Sequence, residues 1–294
     1  MHRWLSVMLF VGFLTHAKTM VRFVDAADGA SNPNNHYFVQ LLNEAMAISE
    51  HDYGPYELQP IDAEISQSRQ LKELEKGFLD VFWTMWTPAR EEHLQSVPIP
   101  LAKGSYGVRV LVVHRADLPV MQMLSEKMLT RKLALSGESW PDTEILRFNK
   151  YRVVSVGYDV NLYSVLSRDQ RYYFPRGIFE ADAELEALQH QDFVILPNLI
   201  IRYPVEMRFF VAKQNTVLAQ RLAAGLKRLK QNGRFDQLFY QFAPHAAAIK
   251  RLNIANAKVL ELASPYQMTS EQLQVIYAEQ DQLLQRFGVI STRE

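Results

Sequence analysis

Short apolar runs of strand type alternate along the chain with longer stretches in which apolar residues recur every three or four positions. That alternation is the pattern of parallel sheets covered by helices. Val21 to Val24 predicts a first strand. Asn32 and Pro33 punctuate a turn, after which Phe38, Leu41, Leu42, Ala45 and Met46 fall on one helical face. Tyr56 to Ile61 predicts a second strand, and Ser68 to Lys76 a short helix carrying Leu71 and Leu74, with Gly77 as its terminator. A strand from Leu79 to Trp83 follows, then an extended run through Pro98-Ile99-Pro100-Leu101. Val108 to His114 contains Val110, Leu111, Val112 and Val113, the continuous apolar signature of a strand buried on both faces.

After Arg115 and Asp117 the pattern begins a second unit. Lys132 to Leu135 leads into Ser136-Gly137-Glu138-Ser139-Trp140-Pro141-Asp142-Thr143, where a helix is expected to start. Ser139 precedes Asp142 by three residues, the capping-box spacing with Asp in the Glu position, and Pro141 suits a first helical turn. Tyr151 to Val156 predicts a strand and Leu162 to Arg168 a helix. Phe193 to Leu196 is a buried strand, and Leu199 to Ala212 holds two extended runs interrupted by Pro204, through which the chain returns to the first unit. Asn215 opens a long amphipathic helix with Leu218, Leu222, Gly225, Leu226 and Leu229 on one face, closed by Asn232-Gly233. A second helix carries Phe235, Leu238, Phe239 and Phe242, and Ser270 to Arg286 predicts a terminal helix. The expected divisions are 1–17, 18–115 for the first part of lobe 1, 116–203 for lobe 2, and 204–294 for the return to lobe 1 and the C-terminal helices.

The first seventeen residues change the picture of where the protein works. A basic start at Met1-His2-Arg3, an apolar stretch from Trp4 to Leu14 and the small-residue end Thr15-His16-Ala17 read as a secretory signal peptide. The apolar stretch is shorter than the about 20 residues a bilayer span needs. The chain has no cysteine, which removes disulfides, thiolate catalysis, thiolate metal sites and a thiol-borne lipid anchor. A freely diffusing periplasmic monomer is therefore expected. With 32 basic and 32 acidic residues the formal charge is zero, so no electropositive footprint for nucleic acid is implied. Removing 17 residues from 294 leaves 277, enough for two lobes with separate cores.

Candidate binding chemistry concentrates in three segments. Gly77 to Arg90, GFLDVFWTMWTPAR, places Trp83, Thr84, Trp86, Thr87 and Arg90 at a strand end, where open α/β sheets bind ligands. Arg90 suits a carboxylate or phosphate because its planar fork makes two parallel charge-assisted hydrogen bonds. The competing reading makes the tryptophans core residues and Arg90 a solvated helix residue. In the second segment Gly137, Ser139, Trp140 and Asp142 lie at a helix N-terminus whose free N–H groups favour an anionic group, ordinary capping being the alternative. The third is Tyr172 to Gly177, YYFPRG, where Pro175 and Gly177 bracket Arg176 and shape a bend that aims its side chain, against the alternative of an exposed loop arginine. The sequence contains no GxSxG, HExxH, GxGxxG or phosphate-loop motif. The eight histidines are scattered, and Glu138 and Asp142 read as cap and solvated face rather than as an acid–base pair. No enzyme activity, cofactor or metal is expected.

The order of a signal peptide, a strand–helix pair, GFLDVFWTMWTPAR, the PIPLAKG run, SGESWPDTEIL and a return ending in a long helix resembles extracellular solute-binding proteins of family 3. The resemblance covers most of residues 21 to 243, and WPDTEIL and YFPRG mark a divergent branch. It implies an α/β, two-lobe type 2 periplasmic binding fold with a two-strand hinge and a cleft that closes on a small solute. The role implied is amino-acid-like uptake with an ABC transporter permease, or sensing with a membrane partner. The competitors are a lyase or dehydratase built on the same fold and a non-transport sensor. The family's carboxylate-gripping arginine maps to Arg90, with Thr84 and Thr87 supplying hydroxyls, and its second-lobe glycine and hydroxyl map to Gly137 and Ser139. One departure matters: the family's ammonium-binding acid should fall near Phe193 to Asn198, and FVILPN has none. That points to an organic anion, a modified amino acid, or a ligand held by Asp142 or Glu180 instead.

Overall fold

A computed structural model describes residues 18–25, 34–187, 189 and 192–290. The expected signal peptide lies outside the described residues. The chain opens with strand β1 (Thr19–Val24), helices α1 (Asn35–Ile48) and α2 (Glu50–Tyr53), and β2 (Tyr56–Ile61), which pairs parallel with β1 from Thr19↔Tyr56 to Val24↔Ile61. Helix α1 buries Phe38, Leu41, Leu42, Ala45 and Met46, the face its spacing predicts. Next come α3 (Gln67–Glu75), β3 (Phe82–Met85), α4 (Pro88–His93), β4 (Leu94–Ser96) and β5 (Val108–His114). The strand expected from Leu79 enters the ladder only at Phe82. The Asp80 carboxylate accepts from the Arg22 backbone N–H (2.8 Å) and the Arg22 Nε (2.7 Å), holding residues 79–81 beside β1 in place of regular pairing.

The second unit runs through α5 (Leu118–Met121), α6 (Glu126–Leu129), β6 (Leu133–Gly137), α7 (Pro141–Phe148), β7 (Arg152–Val156), α8 (Leu162–Leu166), β8 (Tyr172–Gly177), α9 (Ile178–Ala187) and β9 (Phe193–Arg202). The chain then returns through β10 (Met207–Ala212), α10 (Thr216–Gln231), α11 (Arg234–Gln241) and α12 (Ala243–Arg251), and ends with β11 (Lys258–Glu261) and α13 (Ser270–Arg286). Strand β10 lies antiparallel between β3 and β4, so the return completes a three-stranded sheet separate from the β1-β2 pair. The larger sheet has the order β11-β9-β5-β8-β6-β7. The architecture is two α/β lobes, with β5 and β9 as the antiparallel hinge strands between them.

Pro197 does not end β9. The register between β5 and β9 shifts from Val110↔Ile200 to Val112↔Ile195, and the proline falls in the unpaired stretch between. A residue with no N–H is tolerated at such an irregularity. Among the described residues, no helix is long and apolar enough to cross a membrane.

Candidate functional site

Between the lobes lies a cavity of ≈ 270 Å³. Lobe 1 contributes the end of β3, where Phe82, Trp83, Thr84 and Met85 are all buried and all reach the wall. Trp83 stacks on Phe38 (centroids 5.9 Å, 21°), and its Nε1 donates to Asn35 Oδ1 at 3.0 Å, which fixes the indole. Gln67 and Gln70 of α3 add amide groups. At the rim Glu64 faces Tyr158, whose hydroxyl pKa is raised by partial burial and by the Glu64 charge.

Lobe 2 and the hinge contribute a buried chain of charges. Arg109 of β5 pairs with Asp142 of α7 (2.5 Å) and with Glu180 of α9 (3.1 Å), and its Nε donates to the Tyr203 hydroxyl (2.8 Å). The Tyr203 hydroxyl in turn donates to Asp142. Arg176 of β8 pairs with Glu180 (3.2 Å) and Glu184 (2.5 Å), and its guanidinium lies 4.7 Å over the Trp140 ring. Tyr163 donates to Glu184 at 2.9 Å. Burial pushes the Glu180 carboxyl pKa up, against the opposing pull of Arg176 and Arg109. For the two arginines burial acts downward, but the facing carboxylates outweigh it and both pKa values rise. Buried charges persist when paired and hydrogen-bonded, as each of these is.

Of the residues expected at the site, Trp83, Thr84, Trp140, Asp142 and Arg176 line the cavity. The rest stand back from its wall. Trp86 donates to Glu91 (2.8 Å) and lies under the Arg208 guanidinium (5.1 Å). The Thr87 hydroxyl is the N-cap of α4 and accepts from the Arg90 N–H (3.3 Å). Arg90 is held by Thr84 Oγ1 (2.7 Å), the Met85 carbonyl (2.5 Å) and Gln67 Oε1 (2.5 Å), so three wall residues carry it from behind. Burial lowers its pKa to about 10, while Tyr266 and Asp142 oppose the shift. Gly137 is a spacer: a Cβ there would stand 2.5 Å from the Trp140 ring.

The expected capping box does not form. Helix α7 starts one residue later than the spacing suggests, with Trp140 as N-cap and no side-chain cap bond, and Ser139 is exposed. Asp142 turns instead to Arg109 and Tyr203, whose charge-assisted bonds are stronger than a bond to a neutral serine or backbone group.

Solved structures align with most of the chain. A mutant of ArgBP from T. maritima is 19% identical over 76% of this chain and 94% of its own, with a TM-score of 0.54. AbpA, an amino acid ABC transporter substrate-binding protein from Streptococcus pneumoniae bound to L-arginine, is 17% identical over 79% and 95%, with a TM-score of 0.56. The chain has the two-lobe α/β fold of these substrate-binding proteins. A histidine kinase sensor domain with similarity to periplasmic binding proteins shares that fold, at 14% identity over 78% and 96% and a TM-score of 0.54. No protein-family model and no curated protein sequence matches the chain.

Within this two-lobe fold the cavity is the interlobe cleft, and sequence reasoning missed several of its walls. Arg109 is one, and its signal was present: a single cation inside the apolar run from Val108 to Val113 has to be buried with a partner. Phe38, Tyr106 and Met207 gave no signal distinct from core positions. The segment FVILPN supplies no acid, but Asp142 and Glu180 both stand on the cleft wall.

Proposed function

We propose that this chain is a periplasmic solute-binding protein. It captures a small anionic or amino-acid-like solute between its lobes, for uptake through an ABC-type permease or for sensing by a membrane partner, and it leaves the solute unchanged. The observation that carries this reading is a cavity of ≈ 270 Å³ walled from both sides, by Trp83 and Thr84 on one lobe and Trp140, Asp142 and Arg176 on the other. A solute seated there touches both lobes at once, so its binding favours the closed arrangement by as much as it prefers that arrangement.

Charge placement supports the ligand class. Asp142, Glu180 and Glu184 already face Arg109 and Arg176. Arg90 donates only to neutral oxygens among the described residues, so its charge, already felt by Asp142, favours an incoming anion from behind the wall that Gln67, Thr84 and Met85 form. An ammonium group, where the solute has one, would meet Asp142 or Glu180. The test is native mass spectrometry of protein purified without refolding, followed by calorimetric titration of the retained compound. One equivalent bound and recovered intact is the expected result. Release of a converted product would replace this reading with a lyase or dehydratase on the same fold.

A further inference from the structure

Residues 252–290 touch the hinge, lobe 1 and lobe 2 in turn. Strand β11 adds to the lobe-1 end of β9, pairing Lys258↔Leu199 through Glu261↔Arg202. Arg202 is fully buried and holds both Glu261 of that strand and Asp281 of α13. Helix α13 then lies across the entrance to β5. Gln280, also fully buried, donates from Nε2 to the carbonyls of Gly104 (3.1 Å) and Tyr203 (3.0 Å). Gly107 permits that approach, since a Cβ there would stand 2.1 Å from the Tyr203 oxygen and 2.5 Å from Gln280 Nε2. Glu279 pairs with Lys230 of α10 (3.7 Å), and the Arg286 guanidinium covers the Tyr240 ring of α11 (3.7 Å). These contacts fix the segment to the hinge and to lobe 1.

The loop between β11 and α13 reaches the other lobe. Asn149, at the end of α7, donates to the Ala263 carbonyl (2.7 Å) and accepts from the Ala263 N–H (3.0 Å). The Tyr266 hydroxyl bonds Glu144 of α7 at 2.6 Å and lies 3.4 Å from the Pro141 carbonyl. All of these partners are on or at the end of α7, the helix whose first turn carries Trp140 and Asp142 to the cavity.

We infer that residues 252–290 form a strap that holds α7 over the cavity and limits how far the lobes separate, with Asn149 and Tyr266 as its positioning residues on the lobe-2 side. Rotation about β5 and β9 carries α7 away from lobe 1, while β11 and α13 stay with the hinge. The contacts of Ala263 and Tyr266 must therefore break before the cleft opens. A net hydrogen bond shifts an equilibrium about fivefold, so the three short ones together bias the closed arrangement by about a hundredfold.

The cysteine-free chain allows a direct test. Spin labels at Ser68→Cys on α3 and Ser167→Cys after α8, both exposed sites, report the interlobe distance by pulsed electron resonance. Without solute, the parent is expected to give one narrow distribution, and Asn149→Ala with Tyr266→Phe a second population at longer distance. Identical distributions in parent and variant overturn the strap, as does a parent already spread to long distances. If the double variant fails to fold, Tyr266→Phe alone keeps the ring and removes only the hydroxyl. It should raise the long-distance population about fivefold, and no change there also overturns the strap. Because no solute is added, the outcome is independent of the functional reading.

Discussion

His245 gives the structure a calculable response to acid. The imidazole is stacked on Phe179 (centroids 4.1 Å) and enclosed by Phe239 (4.7 Å), Phe242 (5.0 Å) and Tyr37 (5.1 Å). Its Nδ1 lies 2.8 Å from the Phe239 carbonyl, so that nitrogen carries the proton of the neutral ring. Burial lowers its pKa from 6.5 to about 4, with the Phe239 bond opposing. The unfolded chain then takes up a proton near pH 6.5 that the folded chain refuses until about pH 4. Stability from this group is intact above pH 6.5 and is lost as pH falls through that window. A gap of about 2.5 pH units at 1.36 kcal/mol per unit amounts to about 3 kcal/mol in full, of which about 2 kcal/mol is gone at pH 5. His245→Phe keeps the aromatic packing and removes the titration; the lost bond to Phe239 costs about 1 kcal/mol at every pH. Urea unfolding of both proteins at pH 7.5 and pH 5.0 measures the difference, in which contributions from groups such as Glu180 cancel. The parent should lose about 2 kcal/mol more than the variant over that interval. Equal losses would show that His245 is not held neutral by its surroundings.

Arg176→Met leaves Glu180 and Glu184 without their shared cation. It should destabilise the protein by about 3–5 kcal/mol in urea unfolding at pH 7.5, and a loss under about 1 kcal/mol would mean that the buried charges are not coupled as described. Arg90 is bonded to Gln67, Thr84 and Met85 from behind the cavity wall, so Arg90→Ala should weaken binding of the identified solute by about 1 kcal/mol in calorimetry, the scale of one lost hydrogen bond. A loss of about 2–5 kcal/mol would instead show direct pairing with an anionic group and refute its place behind the wall. Solute should change intrinsic tryptophan fluorescence through Trp83 and Trp140. Trp86→Phe is expected to keep that response, because Trp86 stands back from the cavity, and its disappearance in that variant would refute the placement.

The elements that strong periodicity marks are legible before any coordinates. Helix α1 buries the face predicted for it and Tyr56–Ile61 is β2. Arg176 is buried, but the bend expected at Pro175 and Gly177 does not form: Tyr172–Gly177 is the regular strand β8, paired with β5 from Arg109↔Gly177 to Val112↔Phe174, and strand alternation sets the direction of the side chain. What the sequence hides depends on distant partners. Asp142 follows a serine at capping distance, but Arg109 and Tyr203, far away in sequence, recruit its carboxylate. Leu79 to Val81 reads as strand until the salt bridge between Arg22 and Asp80 displaces it. Strand β11 is four residues long with two exposed charged ends, and only its neighbour β9 makes it a strand.

The position of β10 also decides the order in which the protein can assemble. Met207 pairs with Met85, 122 positions earlier (207 minus 85), and β10 is the centre of its three-stranded sheet. Closing a chain segment of that length costs about 4 kcal/mol beyond a constant, and it is repaid only once β3, β4 and β10 are all in place. Strands β6, β7 and β8 face no such wait, since they pair within the segment that the long closure encloses. The expected order is that lobe 2 forms first from these shorter-range pairings and shortens the path that β10 must bridge, so substitutions in lobe 2 that slow its folding should also slow that of lobe 1.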